Sequence, residues 1–310
     1  MNDVVAQASF FSGLTLRLRP LAKWSPYPVA ADRNAWKAAA RQFGHTYIPA
    51  AEETLNRDWP SLPASLWLEY PRNGNRSRYS GLYYRRRQQL CDLVIAECME
   101  NGKRFVDRIA DGIWSTCEES FWGFPAHLGK QQAGLGLPDV EEPIVDLFAA
   151  ETAALLAWVD YLLARRLDEV SPLLRRRIRY EVQRRLLEPC RQRDDFVWMG
   201  LPDRHRVNNW NPWICSNWLA CTLVLEDDSQ RREADVDKIL RCLDVFLEGY
   251  GEDGGCDEGP HYWGRAGASL FECLEMLSDA ADNAPAWFGD EKIRNIGRYI
   301  QRVHIADDWY

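Results

Sequence analysis

This sequence contains nine Cys and five His in 310 residues but lacks the closely spaced pairs that bind metals or form redox motifs. Zinc sites need such ligands at short, regular spacing, so the sequence predicts neither a metal nor another cofactor. Most of the cysteines lie in helix-like segments. This predicts small buried side chains in a reducing compartment, with Cys256 alone on an exposed turn.

Long apolar runs, an excess of basic residues and a fixed repeat period are also missing. No run reaches the ~18 apolar residues of a membrane span, and the N-terminus lacks a signal-peptide pattern, which predicts a cytoplasmic chain without membrane association. The 38 basic and 46 acidic residues give a net charge of −8, which argues against nucleic acid as a partner. The absence of a repeat argues against a regular solenoid.

Apolar residues recur at helical spacing along most of the chain, and no run alternates as a strand does. The clearest helix begins at Ser77 and ends at the stop signal Asn101-Gly102. Further helices are predicted at 32–43, 105–117, 143–167, 172–187, 212–225, 232–246, 264–277 and 292–305. Most of the joining loops are short, so we expect antiparallel helical hairpins. The sequence predicts an all-α fold in which these hairpins form an (α/α) toroid.

The domain organisation follows from the same periodicity. Residues 1–61 are poorly periodic and are predicted to be an irregular and helical lead-in to the domain of residues 62–310. The chain is 46% hydrophobic and contains 14 Trp, 12 Tyr and 11 Phe, which is enough for a large core.

Three segments place polar and aromatic side chains together at helix ends. We call them the His127 loop (residues 117–127), the Asn-rich segment (204–213) and the glycine turn (253–263). Each is weak evidence alone. A loop His is more often solvated than catalytic, an Asn before Pro is more often a helix cap, and paired Glu usually form a solvated face. We expect the three segments to lie on one face of the fold.

In order along the chain, four motifs resemble those of the heparinase II/III-like polysaccharide lyases. They are Asn75-Arg76-Ser77-Arg78-Tyr79, Cys117-Glu118-Glu119-Ser120 with Trp122 and Pro125-Ala126-His127, Asn208-Asn209-Trp210-Asn211-Pro212-Trp213, and the glycine turn with Glu258, His261, Tyr262 and Trp263. The resemblance covers the chain from about Leu66 onward. It implies an incomplete (α/α) toroid, followed in the family by a β-sandwich. This sequence stops at Tyr310, so we expect that β-sandwich to be absent and lyase activity from these residues alone to be low.

The resemblance implies β-elimination at a uronate-containing glycan, so the expected partner is an anionic oligosaccharide or polysaccharide. Asn208 and Asn209 are candidates for neutralising the carboxylate, because amide donors bind it more strongly as charge grows in the transition state. Tyr262 is the candidate base and acid, with His127 in the catalytic set; His205 and His261 stay open as second proton carriers. Candidate substrate-binding residues are Arg76, Arg78, Glu119, Trp122, His205, Trp210, Asn211, Glu258, His261 and Trp263.

Two alternatives remain open from the residues themselves. An α/α-barrel glycoside hydrolase needs two carboxylates beside the scissile bond, and Glu118, Glu119, Asp253, Asp257 and Glu258 supply enough of them. A non-catalytic oligosaccharide-binding protein would use Trp122, Trp210, Trp213 and Trp263 as stacking surfaces. The lyase is favoured because the Asn-rich segment contributes three amides and no acid.

Overall fold

A computed structural model of the chain describes residues 9–310 and confirms the all-α prediction. Within that range no β-strand forms. The only pairings outside helices are two isolated bridges, Leu18 with Ala281 and Ala306 with Trp309. The toroidal arrangement of the helices stays a prediction. Residues 1–8, which open the predicted lead-in and carry the signal-peptide argument, lie outside the described residues.

The described residues divide into two compact units. The first unit is Tyr27–Cys190, and the second combines residues 9–26 with Arg191–Tyr310. Helix α1, Arg33–Leu55, packs against α4, Ser77–Glu100, inside the first unit. Residues 27–61 of the predicted lead-in therefore belong to the first unit, whereas residues 9–26 belong to the second.

The first unit is built around α4. Its helices are α1 and α4 together with α2 (Ala64–Trp67), α3 (Glu69–Asn73), α5 (Val106–Cys117), α6 (Leu147–Val170) and α7 (Pro172–Val182). The predicted apolar stripe of α4 faces the core, where Tyr83, Leu90 and Leu93 are buried. The helix ends as predicted at Asn101, whose φ of 57° is left-handed and whose N–H bonds the carbonyl of Glu97 at 2.7 Å.

Helix α6 is a long apolar helix that lies in the core. It is long and apolar enough to cross a membrane, but most of its apolar stretch is buried by the rest of the fold, as in a core helix. It begins at Leu147, four residues after the predicted start at 143, because Asp146 caps it by accepting the N–H of Ala149. The helix kinks at Leu163, and the carbonyl of Leu162 accepts the N–H of Ala30 at 3.0 Å.

The helix predicted at 172–187 is not regular throughout. After α7 the chain forms one π-helical turn, Gln183–Leu187, and continues as α8, Glu188–Gln192. Arg185 on this turn lies in the core of the first unit, where it donates to the carbonyls of Cys117 and Glu119.

The second unit is organised around α9. Its helices are α9 (Trp210–Leu225), α10 (Ser229–Gly249), α11 (Pro260–Trp263), α12 (Gly267–Ala280) and α13 (Glu291–Val303). Helix α9 packs against both α10 and α12 and is buried along nearly its whole length, with Trp218 and Leu219 fully covered. Because α9 is held on several sides, the Asn-rich segment at its start has a fixed position.

The prediction that Cys256 lies on an exposed turn is wrong, because the glycine turn is pressed onto α13. A Cβ on Gly254 would lie 2.1 Å from the backbone carbon of Asn295, so only glycine permits this approach, and Cys256 is buried with it. Burial raises the pKa of the Cys256 thiol. The other cysteines are buried too, except the half-buried Cys91, and none of the nine forms a disulfide within residues 9–310.

Candidate functional site

Asn208, in the Asn-rich segment, forms hydrogen bonds with the first residues of α9. The Oδ1 of Asn208 accepts the N–H of Trp210 at 3.2 Å, and its backbone carbonyl accepts the N–H of Asn211 at 3.1 Å. With Oδ1 engaged, the Nδ2 donor is the remaining polar group of this exposed side chain, and it has no partner within residues 9–310. Asn208 therefore presents a fixed neutral donor.

The Asn-rich segment and the glycine turn meet in the second unit. The backbone N–H of Asn209 donates to Oε2 of Glu258 at 3.3 Å, and Arg206 forms an ion pair with Asp257 at 3.0 Å. The side chain of Asn209 is buried, whereas Glu258 is exposed. Two of the predicted motifs, 49 residues apart, thus form one surface region, which we call the amide–phenol region: Arg206, Asn208, Asn209, Glu258 and Tyr262.

Asn211 has a structural position and not the predicted substrate contact. Its side chain is fully buried, and Nδ2 donates to the carbonyls of Trp198 and Cys242 at 2.9 Å each. Asn211 therefore connects α9 to two neighbouring segments, and the prediction that it binds substrate is withdrawn on this geometry.

The glycine turn delivers His261 and Tyr262 to the surface. Gly259 has a φ of 81°, which permits the sharp entry into α11, and Pro260 occupies the first helical position. Tyr262 is 43% exposed, and its ring meets the His261 ring edge-on at 5.2 Å. The Tyr262 hydroxyl has no hydrogen bond to any residue that the structure describes. A phenol in this position can reach a substrate.

Trp263 anchors the same short helix. Its Nε1 donates to the carbonyl of Ile296 at 2.9 Å, and a Cβ on Gly267 would lie 2.6 Å from that nitrogen. The half-buried ring is therefore fixed against α12 and α13. Trp263 holds Tyr262 in place, and its predicted contact with substrate stays a prediction.

His205 is engaged through both ring nitrogens. Nδ1 lies 2.5 Å from Oδ1 of Asp203, and Nε2 lies 2.9 Å from the carbonyl of Val197. Two acceptors require two N–H groups, which is the cationic form, and the bond to Asp203 raises the pKa of His205. His205 is thus a loop clamp and a local positive charge, and its geometry does not suit a proton carrier.

The tryptophans of the Asn-rich segment lie at the start of α9. Trp210 is half-buried, and Trp213 is buried beneath the guanidinium of Arg265, whose carbon lies 4.3 Å from the centre of the ring. The face of Trp213 that a sugar would need is covered by this cation. Trp210 keeps its predicted substrate-binding role as a prediction.

His127 is held by a buried carboxylate in the first unit. Its Nδ1 lies 2.7 Å from Oδ2 of Asp146, and the imidazole stacks on the Phe148 ring at 5.7 Å with an interplanar angle of 7°. Asp146 is 1% exposed and also accepts the N–H groups of Phe124 and Ala149. A carboxylate on Nδ1 fixes the proton on that nitrogen, so Asp146 sets both the tautomer and the orientation of His127.

Glu119 and Trp122 are internal supports of the His127 loop. Glu119 is buried and accepts from Arg86 at 2.8 Å and from Arg87 through two bonds of 2.6 and 2.7 Å. Trp122 is fully buried, donates to the carbonyl of Thr116, and lies 4.6 Å beneath the guanidinium of Arg185. Neither side chain presents a surface to a sugar, so both predicted substrate contacts are withdrawn.

Arg76 and Arg78 lie at the exposed start of α4. Arg78 pairs with Glu69 at 2.5 Å, while the guanidinium of Arg76 has no partner among residues 9–310. Arg76 is thus the more available of the two for a carboxylate. Their role in substrate binding stays a prediction, as does that of Glu258 and His261.

Asp146 is the functional candidate that the sequence-based interpretation missed. An Asp directly before an apolar run is a helix-start signal, so its cap was visible in principle. Its hydrogen bond to His127, 19 residues upstream, could not be predicted from the sequence. The structure brings together Asn209 and Glu258 in the second unit, and His127 and Asp146 in the first. The expectation that all three segments share one face stays a prediction.

No group of three or more His, Cys, Asp or Glu within residues 9–310 has the arrangement of a metal site. No family model and no curated protein matches the chain. The resemblance to the heparinase II/III-like lyases therefore depends on the four motifs alone.

Proposed function

We propose that this chain is the helical part of a lyase that cleaves a uronate-containing glycan by β-elimination. The observation that carries the proposal is the amide–phenol region. It joins an exposed, fixed amide donor to the short helix that carries an exposed phenol, and both groups lack competing partners within residues 9–310. These are the two groups that the reaction requires.

The chemistry assigns a role to each group. Nδ2 of Asn208 donates to the uronate carboxylate, and this bond strengthens as the C5 proton leaves and negative charge grows on the carboxylate. The Tyr262 oxygen takes the C5 proton as the phenolate and returns it to the departing O4. Asn209 is buried, so its contribution is to position Glu258 and the glycine turn through its backbone N–H.

His127 is the second candidate proton carrier, and it is assigned on separate evidence. Asp146 orients its imidazole and holds the proton on Nδ1, as in other histidines that a carboxylate orients. His127→Gln therefore forms its own test, which is independent of any substitution in the amide–phenol region.

Three of the five carboxylates named for the hydrolase alternative are engaged. Glu119 is buried between two guanidinium groups, Asp257 is paired with Arg206, and Glu258 accepts a backbone N–H. The binding-protein alternative loses Trp122 and Trp213 as stacking surfaces, since the first is buried and the second lies beneath Arg265. The lyase keeps its two principal residues accessible.

The test measures product type and binding with this chain in excess over 4-linked uronate oligosaccharides, so that a slow single turnover is still visible. A lyase leaves an unsaturated uronate that absorbs in the ultraviolet, a hydrolase leaves a saturated reducing end, and a binder leaves neither. We expect Tyr262→Phe to lower the rate by about 10²- to 10⁴-fold while keeping affinity.

Tyr299→Phe is the matched control, because Tyr299 also lies in the second unit and donates only a long bond of 3.5 Å to Cys256. It should keep the rate of the unaltered chain. Saturated products, or a Tyr262→Phe variant that cleaves at the unaltered rate, would remove the proposal.

A further inference from the structure

A groove in the first unit lies between α4 and α6, and no candidate catalytic or substrate-binding residue lines it. Its volume is about 560 Å³, within the range of small-ligand sites. Gly81, Tyr84, Gln88 and Cys91 line it from α4, at the spacing of one helix face, while Glu151 and Leu155 line it from α6. Arg85 and Arg87 also contribute to the wall.

The aromatic wall of this groove is rigid. Tyr84 is 47% exposed, yet its ring is fixed by edge-on contacts with Tyr83, Phe124 and Phe148 at 5.4 to 5.6 Å. An exposed ring that is already ordered loses little conformational entropy when a flat apolar surface packs on it. The C–H face of a pyranose is such a surface, and dispersion contacts hold it there.

The charge of the groove comes from Arg85. Its guanidinium is exposed and has no partner among the described residues, whereas neighbouring Arg87 is occupied by its two bonds to Glu119. Gln88 and Glu151 add polar groups that can bind hydroxyls. A free guanidinium beside a fixed aromatic ring matches a sugar that carries a carboxylate.

The groove also lies one aromatic layer from His127. Phe148 is the shared ring, because its centre lies 5.6 Å from that of the Tyr84 ring and 5.7 Å from that of the His127 ring. A sugar chain with one residue at His127 would place another residue near Tyr84. This continuity distinguishes the groove from an isolated surface hollow.

We propose that the Tyr84–Arg85 groove is a non-catalytic subsite that binds one uronate residue of the glycan, with the pyranose on Tyr84 and its carboxylate on Arg85. The inference rests on the proposed function, since it takes the substrate class from there.

Gly81 provides the sharpest test, because a Cβ on this residue meets no atom within 4 Å. Gly81→Leu should therefore fold, with a melting temperature equal to or above that of the unaltered chain, while its side chain fills the groove. Gly81→Ala is the smaller control. We expect the Leu variant to lose at least about tenfold in affinity for a uronate tetrasaccharide and the Ala variant to lose little.

Matched probes separate the roles of the ring and the charge. Isothermal titration calorimetry of the full chain uses a β-1,4-linked mannuronate tetramer and the neutral mannose tetramer, which differ only in their carboxylates, with a heparin tetrasaccharide as a second uronate. Arg85→Gln should raise the Kd for the uronates by about tenfold or more, the loss expected for one charge-assisted hydrogen bond, and leave the neutral tetramer unchanged. Tyr84→Ala should weaken both classes, and Tyr84→Phe neither.

Two exposed residues of α7 serve as controls. Arg176→Gln removes an equally exposed arginine, and Tyr180→Ala an exposed tyrosine, both outside the groove. Neither should change the Kd.

The outcomes separate this inference from the proposed function. If Gly81→Leu, Tyr84→Ala and Arg85→Gln all keep the uronate affinity of the unaltered chain and still form unsaturated product, the subsite proposal is overturned. The proposed lyase function is then unaffected. Equal binding of the neutral and acidic tetramers by the unaltered chain overturns the assignment of Arg85. Absence of binding to all three probes overturns both the subsite and the proposed function.

Discussion

Asp146 joins three functions in one buried side chain, and its removal should cost far more than the loss of an ordinary helix cap. It caps α6 through Ala149, accepts the N–H of Phe124 and holds Nδ1 of His127. In Asp146→Ala the lost cap costs about 1 kcal/mol, and each of the other two donors, if left without a partner, costs about 1–3 kcal/mol. We expect a loss of roughly 3–5 kcal/mol in the free energy of unfolding, since the partly exposed His127 can recover a bond to water.

The matched control is Asp32, which caps α1 in the same unit. Its Oδ1 accepts one N–H, that of Ala35, at 3.2 Å in an exposed position. Asp32→Ala should therefore cost about 1 kcal/mol or less. Asp146→Asn should fall between the two alanine variants, because it keeps the cap but places an amide NH₂ against two donors.

Denaturant unfolding followed by circular dichroism measures the three variants, and the melting temperature gives a second readout. For a unit of this size each kcal/mol corresponds to roughly 2–4 °C, so Asp146→Ala should lower the melting temperature by roughly 6–20 °C. Equal costs for Asp146→Ala and Asp32→Ala would refute the reasoning, because burial and the bond to His127 would then contribute nothing.

Three further substitutions test the second unit. Asn208→Asp keeps an oxygen that can accept the Trp210 N–H, so the melting temperature should stay the same. The substitution replaces the Nδ2 donor with a negative charge that repels a uronate, so uronate affinity should fall. Unchanged uronate affinity would contradict the role of Nδ2. His205 pairs with Asp203, which raises the pKa of the imidazole and lowers that of the carboxyl, so the pair stabilises the loop fully only between their ordinary values of 3.8 and 6.5. The hydrogen-exchange protection factors of residues 197–207, which are corrected for the intrinsic pH dependence of exchange, should therefore fall above pH 6.5 as His205 loses its proton and below pH 3.8 as Asp203 gains one. His205→Gln should abolish the upper transition, and protection factors that do not change with pH would refute the role of this pair. Asn211→Ala removes two buried hydrogen bonds and should cost roughly 1–3 kcal/mol, and a variant of normal stability with weakened uronate binding would restore the original substrate-binding assignment.

The helices could be predicted from sequence where the apolar period was strong. Helix α4 begins and ends where the pattern placed it, because its buried stripe and the left-handed Asn101 are both local properties. Helix α1 extends to Leu55, well beyond the predicted end at 43, since only Gly44, Ala51 and Thr54 are buried in it and the apolar period is too weak to follow. The apolar period in the sequence therefore predicts that a helix is present, whereas the end of the helix can be predicted only where buried residues keep that period strong.

The side chains of the candidate site were harder to assign than the helices. The sequence alone does not show whether a loop Trp stacks on a sugar or packs in a core. Only the tertiary contacts show that Trp122 lies beneath Arg185. Cys256 looked exposed because glycine turns usually are, but the close approach of Gly254 to Asn295 depends on residues some 40 positions away. The amide and phenol of the second unit were found because polar side chains at helix ends carry a local signal.

The buried charges around Glu119 have a consequence for how this sequence can change. Arg86 and Arg87 both depend on one carboxylate, so replacing Glu119 alone leaves two cations in a site with little water, and replacing either arginine leaves the carboxylate undercompensated. A simultaneous exchange of all three for apolar residues of similar volume avoids these penalties. The trio should therefore vary as a block, with strong epistasis among its members: single substitutions are harmful on their own and tolerated only together.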